Sequence, residues 1–235
     1  MKTERIFKNL LNAKGKVDLN EFFYQNYDEL IPLLSPYYYG MQNIIAHLIP
    51  QNTRKIVDLG CGTGTLLANV IKANPSVEVA IGIDKNKRFA SRFYSKFPKE
   101  WQGTKQFCAL DFTALTLPFA DIYVATLALH NLSPEVQVRV ISEILRTAPI
   151  FILFDIYKGE TDADEEEKYE FTLRYMRSKN VHTAVQEIVL NEMRIKDSPL
   201  TIKQYETLFR RANFNFETLL FEPGYILYKA ESEIL

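Results

Sequence analysis

Between about residue 54 and residue 157, short continuous apolar runs alternate with segments whose apolar residues recur at helical spacing. Runs bounded by turn signals read as buried strands, and the alternation predicts a doubly wound parallel sheet. The expected strands are Lys55 to Leu59, Val77 to Ile83 ending on Asp84, Gln106 to Leu110, Asp121 to Leu127, and Phe151 to Phe154 ending on Asp155. Leu66, Leu67, Val70 and Ile71 share one helical face, and a second helix is expected from about Lys87 to Phe97. Ser133-Pro134-Glu135 is a helix start, with a cap residue, a proline in the first turn and an acid at the positive end of the dipole. Val136, Val140, Ile141, Ile144 and Leu145 form the buried stripe that follows.

The alternation then stops. Residues 158 to about 198 are charged and predict two helices, with stripes Tyr169, Leu173, Met176 and Val185, Ile188, Val189. This insertion follows the fifth strand, over the ligand-binding edge of the sheet, and reads as a lid. Thr201-Ile202-Lys203-Gln204 is a capping box, and Ile202, Tyr205, Leu208, Phe209 and Ala212 run along the helix it opens, which Asn213 can end in the left-handed conformation. Phe214 to Phe221 and Tyr225 to Lys229, joined by Glu222-Pro223-Gly224, read as a terminal antiparallel hairpin. Ahead of the sheet, Phe22 to Glu29 and Ser35 to Tyr39 read as aromatic cap helices, with Tyr24 and Tyr27 on one helix face, and Met41, Ile44, Ile45 and Leu48 as a buried stripe. The resulting division is 1–50 cap, 51–157 core, 158–198 lid, and 199–235 core helix with hairpin.

At 235 residues and 47% hydrophobic content, the chain is long enough for one full core. The formal net charge of −1 provides no global field toward nucleic acid or an acidic membrane surface. The basic stretch Lys85 to Arg88 reads as a solvated helix start. Two cysteines are too few for a disulfide framework. No long apolar run opens the chain, so the expected location is cytoplasmic, with no membrane partner and nucleic acid disfavoured.

The chemistry concentrates in Asp58-Leu59-Gly60-Cys61-Gly62-Thr63-Gly64, where a buried strand turns into a helix through three alternate glycines. Such a loop lets a ligand lie against main chain and against the free N–H groups of the helix start. A dinucleotide fingerprint needs G-x-G-x-x-G/A, and the third glycine here comes one residue early. A phosphate loop needs Gly-Lys-Ser/Thr, and no lysine follows Gly64. Asp84 stands 24 positions after Gly60, where an acid ending the second strand can accept both ribose hydroxyls of an adenosine ligand.

Strand, Gly-x-Gly-x-Gly and helix together resemble the first motif of the class I S-adenosylmethionine (SAM) methyltransferases. The resemblance covers about residues 20 to 230. It implies a Rossmann-like α/β sheet of five parallel strands closed by an antiparallel hairpin, with SAM as cofactor. Asp58 resembles the acid that orders the loop and the amino end of the methionine. Asp111 and Phe112 match an acid and an apolar residue that receive adenine, and the segment from Leu127 meets the methionine portion. The cofactor contacts implied are Asp58, Gly60, Cys61, Gly62, Thr63, Gly64, Asp84, Lys85, Asp111, Phe112 and Leu127, with the rings of Tyr24 and Tyr27 over the sulfonium. His130 and Tyr27 are the catalytic candidates, His130 as a base titrating near neutrality; packing under the adenosine or capping the next helix is its competing role.

The expected activity is methyl transfer to a small-molecule acceptor by in-line displacement, which needs alignment and water exclusion rather than a triad or metal. Asp155, Asp162 and Asp164 could suggest a divalent-metal methyltransferase of the catechol type, but the acidic run belongs to the insertion and reads as a solvated helix start, so no metal site is expected. The alternatives are a non-catalytic SAM-binding subunit, and a transferase using SAM for aminopropyl transfer or sulfonium modification. A homodimer is compatible with the sequence.

Overall fold

The computed structural model describes residues 19–114 and 116–233. Five strands run parallel: β1 Lys55–Leu59, β2 Val79–Ile83, β3 Thr104–Cys108, β4 Ile122–Thr126 and β5 Ile150–Ile156. The hairpin β6 Phe214–Glu222 and β7 Tyr225–Ser232 completes a seven-stranded sheet of order β3-β2-β1-β4-β5-β7-β6. The later strand, β7, pairs antiparallel with β5 and leaves β6 at the edge. The order reverses between β1 and β4, so ligands are expected beyond the carboxyl ends of those strands.

Residues of the central strands alternate between two cores. Val57 and Leu59 enter the cluster under α6 (Pro134–Thr147) and α9 (Ile202–Arg211). Ile56 enters the cluster under α3 (Tyr38–Leu48), α4 (Thr65–Ala73) and α5 (Ala90–Lys96). A third cluster stands apart. Leu30 and Leu34 of α2 (Tyr27–Leu34) pack there with Met176 of α7 (Asp162–Ser178) and with Val181 and Val185, the latter on α8 (Thr183–Ile195). The expected cap and lid therefore share one apolar core, and the Tyr175 hydroxyl donates to Pro32 O at 2.6 Å across it.

Local signals held where they were local. Thr201 and Gln204 form the capping box, Thr161 and Asp164 form another at the start of α7, and Asn213 takes φ +57°. Other expectations shift. The third strand ends at Cys108 instead of Leu110, which is 47% exposed: β3 is an edge strand, so its apolar end is not obliged to be covered. Asp111 and Phe112 thus lie past the strand, at a 3-10 turn. The fifth strand runs on through Asp155 to Ile156 because β7 pairs along its whole length.

The helix expected from Lys87 begins as a 3-10 turn, and α5 starts at Ala90. Tyr24 and Tyr27 do not share a helix. The chain breaks at Asn26 between α1 (Leu19–Gln25) and α2, and the Asn26 side chain donates to Phe22 O at 2.9 Å. On α3 the buried positions are Met41, Gln42, Ile45 and Ala46, while Ile44 is exposed. Among the described residues no helix is long and apolar enough to cross a membrane.

Candidate active site

All three loop glycines have positive φ, at +70°, +50° and +78° for Gly60, Gly62 and Gly64. Packing adds to the requirement at two of them. A Cβ on Gly60 would stand 2.4 Å from that of Ala128, and one on Gly64 would stand 2.6 Å from the Phe93 ring. At Gly62 the nearest atoms belong to Tyr27, at 3.4 Å or more, so the tyrosine ring lies over the loop. The Gly62 N–H donates to Asp84 Oδ2 at 2.9 Å, and the Asn86 N–H to Asp84 Oδ1 at 2.8 Å. Burial pushes the Asp84 carboxyl above its ordinary value, and those two donors hold it back only in part. The Cys61 thiol is turned into the core against Gly82, and burial pushes it up as well.

The cap is fastened to this loop. The Thr63 hydroxyl donates to Asp28 Oδ1, and Lys96 Nζ reaches Asp28 Oδ1 and Thr63 Oγ1, each at 2.6 Å. Tyr27 packs on Phe89 at 4.8 Å between centroids, and Tyr24 meets the same ring edge-on at 5.7 Å beneath the Arg88 guanidinium. The two tyrosines converge on one phenylalanine from separate helices.

Asp58 lies below, 1% exposed, and neither carboxylate oxygen has a hydrogen-bond partner. The buried Gln42 Oε1 also lacks one, although the same side chain bonds to Tyr38. Orphaned acceptors beside a glycine loop fit a ligand that brings donors, such as an ammonium group. On the far side of the loop Asp111 is exposed. Its Oδ1 accepts the Thr113 N–H at 2.9 Å, and the Thr113 side chain and N–H together hold its carboxyl below the ordinary value. Phe112 packs partly buried against the core, and Lys85 is exposed, its charge bearing on Asp84 and Asp111.

The chain leaves β4 through Leu127 at φ +50°, a strained conformation for a branched side chain. A 3-10 turn, Leu129–Asn131, follows. The fully buried Asp155 organises it: Oδ2 accepts the N–H groups of Leu129 and His130 at 2.9 and 3.2 Å, and Oδ1 accepts that of Ile156 at 2.9 Å. Asp155 Oδ1 also bonds to His130 Nδ1. On the other ring nitrogen, Nε2, the Asn131 amide lies at 3.0 Å and Asp197 Oδ1 at 4.0 Å. Burial lowers the imidazole pKa, but Asp155, its hydrogen bond and Asp197 more than offset this, and the net direction is up. Nearby on α7, the buried Lys168 donates to Glu165 at 2.7 Å.

Residues 56–148 match the family described as a methyltransferase domain. This stretch is a methyltransferase domain by that match, consistent with a class I SAM-dependent enzyme. A carboxy-S-adenosyl-L-methionine synthase 1 of Yersinia pseudotuberculosis is 22% identical over 231 residues, covering 94% of this chain and 95% of the relative. A carboxy-S-adenosyl-L-methionine synthase of a Nitratiruptor species is 23% identical over 158 residues, 65% of either chain.

Among solved structures, a mitomycin 7-O-methyltransferase aligns with a TM-score of 0.62 at 14% identity, over 91% of this chain. Human N-acetylserotonin methyltransferase, solved with SAM, aligns at 0.58 and 18% over 90% of this chain. The chain spans 57% and 55% of those two proteins. Magnesium protoporphyrin IX methyltransferase from Synechocystis aligns at 0.62 and 11%, over 92% of this chain and 98% of that one. At these identities the structural likeness is one of fold.

The structure therefore gathers around one loop Asp58, Gly60 to Gly64, Asp84 and Tyr27, and packs Ala128, two residues before His130, against Gly60. Tyr24 and Lys85 lie outward. Sequence reading missed Asp155 as the partner of His130, though an acid in the strand next to the one carrying the histidine was a usable signal. Asp28, Lys96 and Asp197 gave no signal, because their partners are distant in the chain. Among the described residues no group of three or more His, Cys, Asp or Glu side chains is placed to hold a metal ion.

Proposed function

We propose that this methyltransferase acts on a small-molecule acceptor that loses a proton on methylation, a hydroxyl or comparable group, with His130 as the general base. The observation that carries this reading is the His130–Asp155 pair at the end of β4 and β5. Asp155, already accepting three backbone N–H groups, also accepts a hydrogen bond from Nδ1–H, which leaves the lone pair on Nε2, where the Asn131 amide donates to it. An acceptor hydroxyl that replaces Asn131 hands its proton to Nε2, and the imidazolium is then held between Asp155 and Asp197.

In this reading Asp58 and Gln42 receive the amino end of the cofactor, Gly60 to Gly64 border it, and Asp84 takes the ribose hydroxyls. Asp111 and Phe112 receive the adenine, and Tyr27 closes over the loop. When bound, SAM supplies an electrophilic methyl group on a sulfonium. The chain's own work is alignment and exclusion of water, for which the cap and α7–α8 provide cover. The acceptor class is supported by the net charge of −1, which offers no field for nucleic acid, and by the small acceptors in the names of the mitomycin and N-acetylserotonin enzymes.

A screen of hydroxylated small molecules with SAM, read as S-adenosylhomocysteine formed, tests the activity. His130→Asn is expected to lower kcat by about 10²–10⁴-fold with SAM affinity kept. An equal loss in SAM affinity would instead make His130 a packing residue beneath the cofactor. The relatives named carboxy-S-adenosyl-L-methionine synthase favour a second reading, modification of SAM itself. Mass spectrometry separates the two, since a heavier SAM derivative without S-adenosylhomocysteine would replace the first reading with the second.

A further inference from the structure

A buried carboxylate without donors is far more costly than a buried carboxylic acid, because only the first carries charge. Asp58 is in that position. It lies in the middle of the sheet, between Gly82 of β2 and Val124 of β4. The titratable groups that face it are Asp84 past β2, the Cys61 thiol in the loop, and the phenols of Tyr27 on α2 and Tyr38 on α3. None of these is a cation, and the nearest charge is another acid. Burial first, and Asp84 second, push its carboxyl well above the ordinary range.

We propose that Asp58 is a neutral carboxylic acid in the ligand-free protein and becomes a carboxylate when the ammonium of the amino-acid end of the cofactor reaches it, so that binding releases one proton. The O–H bond of Asp58 breaks and its proton passes to the buffer. The incoming ammonium keeps its three protons and donates to the carboxylate, so the buried site gains an ion pair and no net charge. The inference rests on the reading that places the amino end at Asp58. It makes affinity pH-dependent: between the two pKa values of Asp58, free and bound, affinity rises about tenfold per pH unit.

S-Adenosylhomocysteine is the probe, because it has the same amino-acid end and no sulfonium to disturb His130. Calorimetry in pairs of buffers with different ionisation heats, from about pH 5 to about pH 7, keeps the ligand's ammonium protonated, given an α-amino pKa of about 7.7–8.0. The expected result is release approaching one proton per ligand in the wild type and in His130→Asn, and none in Asp58→Asn. Wild-type affinity should fall toward that of Asp58→Asn as the pH is lowered. Difference infrared spectra of the wild type should lose a protonated-carboxyl band on binding, a readout that stands even if Asp58→Asn does not fold.

Binding with buffer-independent heat and pH-independent affinity would overturn the proposal, as would full release persisting in Asp58→Asn, which assigns the proton to Asp84. Failure of the probe to bind at any pH is a different result, because it removes the cofactor placement itself.

Discussion

His130 and Asp155 meet because β4 and β5 are neighbours, and the turn after β4 folds back onto an acid buried in β5. That geometry sets a pH dependence. As the proposed base, His130 would work only when neutral, and its pKa is raised above the ordinary histidine value. The ascending limb of kcat/KM should therefore lie above about pH 6.5, and Asp155→Asn should move it toward lower pH while lowering kcat. A limb at or below that value in the wild type would show that another group limits the reaction.

Asp84→Ala is expected to weaken SAM binding by about 1–3 kcal/mol, because it removes a charged acceptor. Asp84 also holds the Gly62 N–H, so part of that loss belongs to the loop. An analogue of S-adenosylhomocysteine lacking both ribose hydroxyls isolates the ribose part: if Asp84 takes the hydroxyls, Asp84→Ala should cost the analogue less affinity than it costs S-adenosylhomocysteine, the remainder being the loop's share. At Gly62 a valine meets two obstacles, the positive φ and the Tyr27 ring. Titration of Gly62→Val should show SAM binding lost, and normal affinity would show that the loop has no part in the site.

The elements give the next level. Helices α1–α2 and α7–α8 share the cluster built on Leu30 and Met176, and Asp28 fastens α2 to Thr63 and Lys96. They should respond as one unit. Hydrogen exchange in residues 19–34 and 162–195 should slow when S-adenosylhomocysteine binds, more than in the hairpin near Gly224, and Asp28→Ala should remove much of the difference. Unchanged exchange in both segments, with full activity in Tyr27→Ala, would leave these helices as plain core.

What the sequence revealed here follows from range. The Thr201 capping box and the left-handed Asn213 are written in four or five consecutive residues, and the glycine loop in seven. The Asp28–Lys96 contact spans 68 positions and the Asp28–Thr63 contact 35, so no periodicity betrays either one. The edge position of β3 was equally invisible, since exposure of Leu110 depends on what does not pack against it. The Asn26 break was missed because the polar side chain that permits it reads like any helical surface residue.

At the scale of the molecule, the sheet is interlocked out of order. β7 fills the slot beside β5, yet it follows β5 by α7, α8, α9 and β6. Protein cut back to residue 224 should therefore fail to fold rather than lose an appendage, which circular dichroism and the loss of a cooperative melt would show. A cooperative melt in that fragment would mean that β5 does not need its partner.

The same arrangement has a consequence on the ribosome. Phe151 to Phe154, the most apolar stretch of the sheet, is made about 75 residues before the strand that covers it, a wait of roughly 4–15 s at 5–20 residues per second. For that interval the nascent chain presents an open β-edge to every other chain emerging nearby, including copies of itself on the same message. Crowded translation is then a condition under which this protein is exposed to loss by aggregation.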